Sequence, residues 1–474
     1  MKRIGCWAPV LLLIGIHGCA VGPDYRPPTP HTPGTWGQDD QQGVTPTSAD
    51  LKAWWRQFDD PVLNTLVDRA VAGNLDLKIA LAAVREARAL RGIAAADQLP
   101  TINAAGAYAR VRESENVRPL PRGFDAEHNL FLLGLDASWE LDVWGRVRRS
   151  VEGADATLEA AEDNRRDVLV IVLADVARNL VDVRTAQQRL LIARNNIQTQ
   201  QEVVDLTRVR MQAGLATEVE VSQALTLLAT TRAQVPALHV AQDQAIHRLA
   251  VLVGAPPAAL LDELRRVDRI PPAPPAVPIG LPSDLLRRRP DIRRVERELA
   301  AATARIGVAA AELFPRFSLT GTLGVSAVDA ASVFTAASRF SSIGPQVVWP
   351  IFAGGRIRAN IRAQEARQEA ALARYEQTVL AALADTENAL VAWGEEHTRQ
   401  QQLTEAVGAS EVALTLSREL YVRGLVDFLS VLDNQRSLYA AQDQRVQSEG
   451  TLVVSLIALY KALGGGWEAM EVQP

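Results

Sequence analysis

Aromatic side chains make up only 5% of the sequence, and cysteine (2), methionine (3) and histidine (6) are scarcer still. Two cysteines cannot build a disulfide framework, and Cys6 falls inside an N-terminal segment with the marks of a signal peptide, which leaves Cys19 alone in the processed chain. Three methionines make a thioether relay for soft metals a poor expectation. The histidines stand apart, with no His-x-x-x-His pair and no carboxylate cluster at metal spacing; His239 and His247 share a helical face but find no third ligand. An excess of one charge is missing too. The formal net charge is −5 with basic and acidic residues interspersed, which argues against a nucleic-acid surface. Gly354-Gly355-Arg356 lacks the Lys-Ser/Thr ending of a phosphate loop and reads as a strand-to-helix bend, and Arg287-Arg288-Arg289 before Pro290 reads as a solvated turn. No catalytic constellation emerges, so neither an enzyme nor a bound cofactor is expected.

What is abundant is Ala, Leu, Arg, Gln and Glu, the composition of long helices with small packing contacts. The chain of 474 residues, 48% hydrophobic, can bury a large core. Lys2 and Arg3, the apolar run Trp7 to Ile16 and the lipobox-like Ile16-His17-Gly18-Cys19 predict a lipoprotein signal over residues 1–18, the run being too short to span a bilayer. Cleavage would leave Cys19 as the lipidation site, bearing S-diacylglycerol and N-palmitoyl chains that anchor far more firmly than one chain does. Ordinary secretion is the alternative. Ala20 after the cysteine, in place of Asp, resembles outer-membrane sorting. Residues 19–50, rich in Pro, Gly, Thr and Gln, are expected to be an extended lipidated tether.

The sequence also matches itself. Trp139, Gly145 and Arg146 fall onto Trp349, Gly355 and Arg356, and Gly214-Leu215 onto Gly424-Leu425, at one offset; Leu99-Pro100 falls onto Phe314-Pro315 and Asp76 onto Asp291 at a slightly larger one. The reading is an internal duplication: a first repeat over 51–265, a Pro-rich linker over 266–282, a second repeat over 283–467, and a tail over 468–474. Each repeat runs helix, strand, turn, strand, long helix, tip, long helix. Proline is absent from Arg122 to Val235 and from Ile351 to Gln473, which permits long helices with tips near 214 and 424. Leu169, Leu173, Val176, Leu180, Val183, Leu190, Ile197 and Val204 recur at coiled-coil spacing, with Val379, Leu383, Leu390 and Trp393 in equivalent places. A helix from Gly145 to Ala213 would extend on the order of 100 Å.

Strands are expected at about 101–112, 129–141, 316–326 and 341–352. Phe131, Leu133, Leu135, Ala137, Trp139 and Leu141 alternate with mostly polar neighbours, as do Phe317, Leu319, Leu323 and Val325, while Trp349 sits where interfacial aromatics gather. Alternation alone also fits a half-buried sheet in a soluble domain. Four strands cannot close a membrane barrel, and about eight are needed, so a membrane reading requires a barrel shared between chains.

The strand-to-helix motif Trp139-Glu140-Leu141-Asp142-Val143-Trp144-Gly145-Arg146, the segment Gly22-Pro23-Asp24-Tyr25 and the tip motif Arg423-Gly424-Leu425-Val426-Asp427-Phe428-Leu429-Ser430-Val431-Leu432-Asp433 resemble the TolC-like outer-membrane factor family, in its NodT-type efflux lipoprotein branch. The resemblance runs from Cys19 to about Trp467. It implies a mainly α fold with a membrane β-barrel: a homotrimer with four strands per protomer in a shared twelve-stranded barrel, continuous with a periplasmic α-helical coiled-coil tunnel. It implies an outer-membrane channel of a tripartite efflux system in a Gram-negative bacterium, with outer-membrane lipid, a periplasmic membrane-fusion adaptor and a resistance-nodulation-division inner-membrane transporter as partners. It also implies a periplasmic gate at Leu429 and Asp433. Ser430 stands where some relatives carry a second carboxylate, so a second acidic ring does not follow. Gly214, Leu215, Gly424 and Leu425 are the expected hairpin tips and adaptor contacts, and Arg210, Arg423 and Asp427 are candidates for ion pairs there. Competing readings are a lipid-anchored periplasmic coiled-coil adaptor or structural protein, and a surface hydrolase.

Overall fold

The computed structural model describes residues 20–470 except 31, 38–43, 46, 48–50, 115, 117–125 and 275–276, so the expected signal peptide and Cys19 lie outside the described residues. Helices α1 (Pro61–Gly73) and α2 (Leu75–Ala96) lead into strands β1 (Thr101–Arg112) and β2 (Glu127–Leu141) and then α3 (Arg146–Gln212) and α4 (Glu218–Leu252). After two short helical turns the order recurs as α5 (Pro290–Ala311), β3 (Arg316–Ala327), β4 (Arg339–Val348), α6 (Arg356–Val422) and α7 (Phe428–Ala462). Counterparts agree in length: α2 and α5 have 22 residues, β1 and β3 have 12, α3 and α6 have 67, and α4 and α7 have 35.

Compactness divides the chain differently from its sequence repeats. One unit holds residues up to Thr29, Ala83–Ala161 and Arg294–Tyr375, and carries the four-stranded sheet. The second holds Pro30–Ala82, Glu162–Arg293 and Glu376–Pro474, and carries both hairpin tips. In this hairpin unit the stripe along α3 is buried as its spacing requires: Leu173, Val176, Leu180, Val183 and Val204 have no exposed surface. Val379, Leu390 and Trp393 of α6 are buried likewise. Trp54, Trp55, Phe58 and Tyr460 form a second apolar node, with Trp54 stacked on Tyr460 at 5.3 Å between ring centres.

Four expectations change. The last strand, expected over 341–352, spans Arg339–Val348, because Pro350 cannot donate to a ladder and Gly354 and Gly355 turn the chain with φ of 57° and 83°. Helix α4 passes through Pro236 where the proline-free tract ended; Leu238, Ala245, Ile246 and Leu249 beyond it are buried, and their burial offsets the roughly 3 kcal/mol that an interior proline costs. The segment 19–50 is extended but not a free tether where described. Val21 N–H donates to the Trp144 carbonyl at 3.0 Å, Arg149 to Asp24 at 2.5 Å, and Trp36 is 3% exposed, its indole N–H on the Gly280 carbonyl. Val44–Thr45 also pairs in parallel with Val277–Pro278. The arginine run, finally, is no solvated turn at Arg289. Its guanidinium is mostly buried and holds Asp291 through two bonds of 3.0 and 2.7 Å, Asp385 at 3.3 Å and the Ala462 carbonyl at 3.0 Å, tying the end of α7 to the start of α5.

Candidate conduit: a two-faced sheet and two glycine-capped tips

The sheet runs β1-β2-β3-β4, antiparallel throughout. Its register turns the alternation of single strands into continuous rows. On one face lie Ala104, Leu135 and Leu323, then Ile102, Ala137, Gly321 and Ile343, then Trp139, Leu319 and Pro345, then Leu141, Phe317 and Val347. The opposite face carries Asn103, Asp136, Thr322 and Ser342, then Thr101, Ser138, Thr320 and Gly344, then Glu140, Ser318 and Gln346. The apolar face is open in the protomer: Ile102 is 66%, Leu135 48%, Leu323 60% and Ile343 79% exposed. A soluble sheet would cover that face; a lipid bilayer covers it without further protein.

At the helical end of this face, the indole N–H groups of Trp139 and Trp349 donate to the carbonyls of Gln98 and Leu313, each at 3.0 Å, leaving their rings exposed, the arrangement interfacial tryptophans adopt. Trp144 stacks on Phe314 at 4.7 Å and donates to the Pro315 carbonyl, sealing the bend between β2 and α3. Asp142 caps α3 through the N–H groups of Val147 and Arg148, and Arg146 clasps Glu140 with two bonds of 2.8 Å. On the polar face a row of small residues, Ala105, Gly134 and Gly324, ends in Phe340, whose ring lies across both glycines. Sequence reading missed this row, because only the register assembles it.

Both tips, in the hairpin unit, are built alike. Gly214 and Gly424 take φ of 73° and 75°, where other residues are strained. Their N–H groups donate to Met211 and Tyr421, and those of Leu215 and Leu425 reach back to Arg210 and Leu420, at 2.8 to 2.9 Å, so each long helix ends in a Schellman motif. The returning helices are capped by Thr217, which forms a capping box with Glu220, and by Asp427, which accepts from the Ser430 N–H at 3.0 Å and hydroxyl at 2.5 Å. Leu215 and Leu425 stay 65% and 67% exposed.

Beyond the second tip, Phe428, Val431, Leu432 and Leu438 of α7 are buried with Val203, Val204, Leu228 and Tyr421. Leu429 and Asp433, four residues apart, share the other face: Leu429 is 47% exposed, and Asp433 pairs with Arg436 at 3.6 Å on the surface. Leu429 is therefore not a core residue of the protomer. Nearby, a shallow groove of about 450 Å³ is lined by Glu218, Val219, Ser222, Gln223, Thr226 and Arg436. The candidate ion pairs take another form. Arg210 lies over the Tyr421 ring at 4.6 Å, and Asp427 is engaged by Ser430, whose hydroxyl and N–H hold its carboxyl below the usual range. Burial, then the Glu220 charge, pushes the Tyr421 hydroxyl up.

Comparison with known proteins gives this geometry a family. The family described as "Outer membrane efflux protein" matches residues 66–255 and 281–465, once in each half. The chain is similar to the pyoverdine export outer membrane protein OpmQ of Pseudomonas aeruginosa, 37% identical with 89% of each chain covered, and to nodulation protein T of Rhizobium leguminosarum bv. trifolii, 31% identical with 95% of each covered. Among solved structures, the outer-membrane channel OprN superposes with a TM-score of 0.90 at 39% identity, covering 95% of this chain and all of that one. This chain belongs to the outer membrane efflux protein family and is an outer-membrane channel component of an efflux system.

Proposed function

We propose that three copies of the chain close one twelve-stranded barrel in the outer membrane, with their hairpins forming a periplasmic tunnel below it, and that the two halves of each chain arose by duplication. The observation that carries this reading is the sheet: one face is apolar and open, and both edge strands, β1 and β4, are long and without a neighbour among the described residues. Such edges invite strand addition, and closure by further copies removes them. Cys19 would carry the lipid anchor. The hairpin tips, through Gly214, Leu215, Gly424 and Leu425, would meet a periplasmic adaptor, which links the channel to an inner-membrane transporter, with resistance-nodulation-division pumps the favoured class.

Leu429 and Asp433 are assigned to the periplasmic gate. Their exposure on one face of α7 supports this, since a ring of three leucines narrows and dewets the path while three nearby carboxylates favour cations. The test is single-channel current through the lipid-reconstituted protein and its Asp433→Ala variant. A small cation-selective wild-type current, with larger and less selective current in the variant, is the expected result. Unchanged conductance and selectivity in the variant would remove Asp433 from the gate; a monomeric, non-conducting wild-type protein would remove the channel reading itself.

A further inference from the structure

The apolar face of the sheet differs between its two ends. Alternation puts the even positions of β1 and the odd positions of β2, β3 and β4 on this face. Every charged residue that the strands place there stands at the end away from the helices: Arg110 and Arg112 on β1, Glu127 on β2 and Arg339 on β4. Asp136, Glu140 and Arg316 belong to the polar face. The helical end of the apolar face carries Leu141, Phe317 and Val347 and, within the strands, no cation.

The order along this face matches depth in a bilayer. From Trp139 to Phe131 the strand runs about 27 Å, which is about 20 Å of depth at the usual barrel tilt of about 40° and close to the roughly 25 Å apolar band of such barrels. At the outer edge Tyr108 lies against Phe131, with 5.0 Å between ring centres, and its hydroxyl donates to Asn129 at 3.1 Å. Arg110 stands opposite Asn129 and Arg112 opposite Glu127, one and two side-chain steps further out, at the level of lipid headgroups. A cation on a lipid-facing surface is costly at mid-bilayer and tolerated at the interface, where anionic headgroups can meet it.

Glu127 holds the two guanidiniums side by side. Its Oε2 accepts from Nη2 of Arg110 and its Oε1 from Nη1 of Arg112, both at 3.2 Å. The arginine side chains remain 68% and 73% exposed, so most of each five-donor fork faces outward. Arg339, also exposed, adds a third guanidinium, and one carboxylate stands against three cations. Planar forks of this kind match phosphate oxygens. We propose that this rim binds the phosphate groups of a multiply phosphorylated glycolipid in the outer leaflet, with Arg110 and Arg112 as the clamp and Arg339 adding to the attraction. Ordinary phospholipids fill the inner leaflet as well, and the inner end of this face offers them no guanidinium; the one-sided excess fits a leaflet whose lipid carries more than one phosphate per molecule. This rests on the shared-barrel reading, which puts the face in lipid.

Binding of fluorescent diphosphoryl lipid A to the full-length protein in phosphatidylcholine nanodiscs tests this. Wild type should bind it, Arg110→Gln/Arg112→Gln should weaken binding about tenfold or more, and adding Arg339→Gln should weaken it further. Arg110→Lys/Arg112→Lys should recover only part of the loss, because an ammonium cannot form the fork. Arg316→Gln, on the polar face, should bind as wild type does. Unlabelled diphosphoryl lipid A should displace the probe several-fold better than phosphatidylglycerol or inorganic phosphate at equal concentration; equal displacement by either overturns the glycolipid assignment. Trimers in which the rim variants bind as tightly as wild type, or in which Arg316→Gln loses as much as they do, overturn the site and leave the barrel standing. A wild-type protein that stays monomeric and outside the discs overturns the barrel, and the site with it.

Discussion

The row Ala105-Gly134-Gly324-Phe340 makes the stability of the sheet depend on a missing methyl group. A Cβ added at Gly324 would lie 2.6 Å from the Leu133 carbonyl oxygen, 2.9 Å from the Gly134 Cα and 2.8 Å from Phe340 Cζ. Phe340 could rotate aside, but two of the three obstacles are backbone of the neighbouring strand, the Gly134 Cα about 0.5 Å and the Leu133 oxygen about 0.8 Å inside the 3.4 Å at which ordinary contact begins. The strands would have to part by that much, stretching the ladder bonds on either side. Overpacking costs about 1–3 kcal/mol, and each weakened hydrogen bond about 0.5–1.5 kcal/mol. Gly324→Ala should therefore destabilise the sheet by roughly 2–5 kcal/mol, a thirty-fold or larger fall in the folded-to-unfolded ratio. Gly134→Ala meets the Leu323 oxygen at 3.2 Å and should cost less. At Gly321 the nearest atom is 3.6 Å away, and alanine there should be neutral or stabilising by up to about 1 kcal/mol. Denaturant unfolding of the detergent-solubilised protein, followed by folded-band mobility on gels, would rank the three. Adding Phe340→Ala to Gly324→Ala should recover little, because the backbone contacts remain. A Gly324→Ala midpoint equal to wild type would show that the two strands are not packed as closely as described.

Removing Arg289 would leave Asp291, Asp385 and the Ala462 carbonyl without their shared donor; because Asp385 is 59% exposed, the 3–5 kcal/mol typical of a fully buried pair should shrink to about 1–3 kcal/mol for Arg289→Ala. Arg289→Lys should restore only part of it, since an ammonium cannot reproduce the fork, and thermal unfolding of the two variants would show the order. The Asp427 carboxyl is held below its usual range by Ser430, so its capping contribution is present above the unfolded carboxylate pKa and is lost as pH falls through the lower folded value. Hydrogen exchange at the start of α7 should accelerate in that acid window, and Asp427→Asn should abolish the pH dependence while keeping a cap. Gly424→Ala and Gly214→Ala should each loosen a tip by about 1–2 kcal/mol through their left-handed backbone, read as increased proteolysis at the tips with the sheet unaffected.

Much of this architecture was legible because the chain states it twice. Element order, the 67-residue helices and both tips follow from matching glycines, tryptophans and prolines at two offsets. The sheet faces follow from period-two alternation, which the register extends across four strands. What escaped was set by contacts between residues with no repeat relation. Arg210 and Tyr421 meet across the halves although the repeat pairs Arg210 with Leu420. Arg289 looked solvated because charge runs usually are, and only the approach of Asp385 and the end of α7 makes its burial affordable. The proline-free tract stopped at Val235, and local propensity carries no information about the apolar residues that bury α4 beyond Pro236.

Both tips are built on one backbone instruction. Gly214 and Gly424, with Leu215 and Leu425 behind them, form the same Schellman turn, so both hairpins follow the same path at their tips. The exposed face that follows diverged. Val219, Gln223 and Thr226 occupy the places of Leu429, Asp433 and Arg436, so only the second hairpin presents a large apolar side chain followed by ionised groups. A gate needs both a dewetting ring and a charge, whereas a docking groove needs shape and polar side chains, as in the groove lined by Glu218, Ser222, Gln223, Thr226 and Arg436. If the Leu429 face after the second tip gates and the groove around Val219 docks, Val219→Asp should weaken adaptor binding and leave single-channel current unchanged, while Leu429→Ala should do the reverse. The opposite pattern would mean the roles had been assigned to the wrong hairpins, since the turns themselves are too alike to distinguish them.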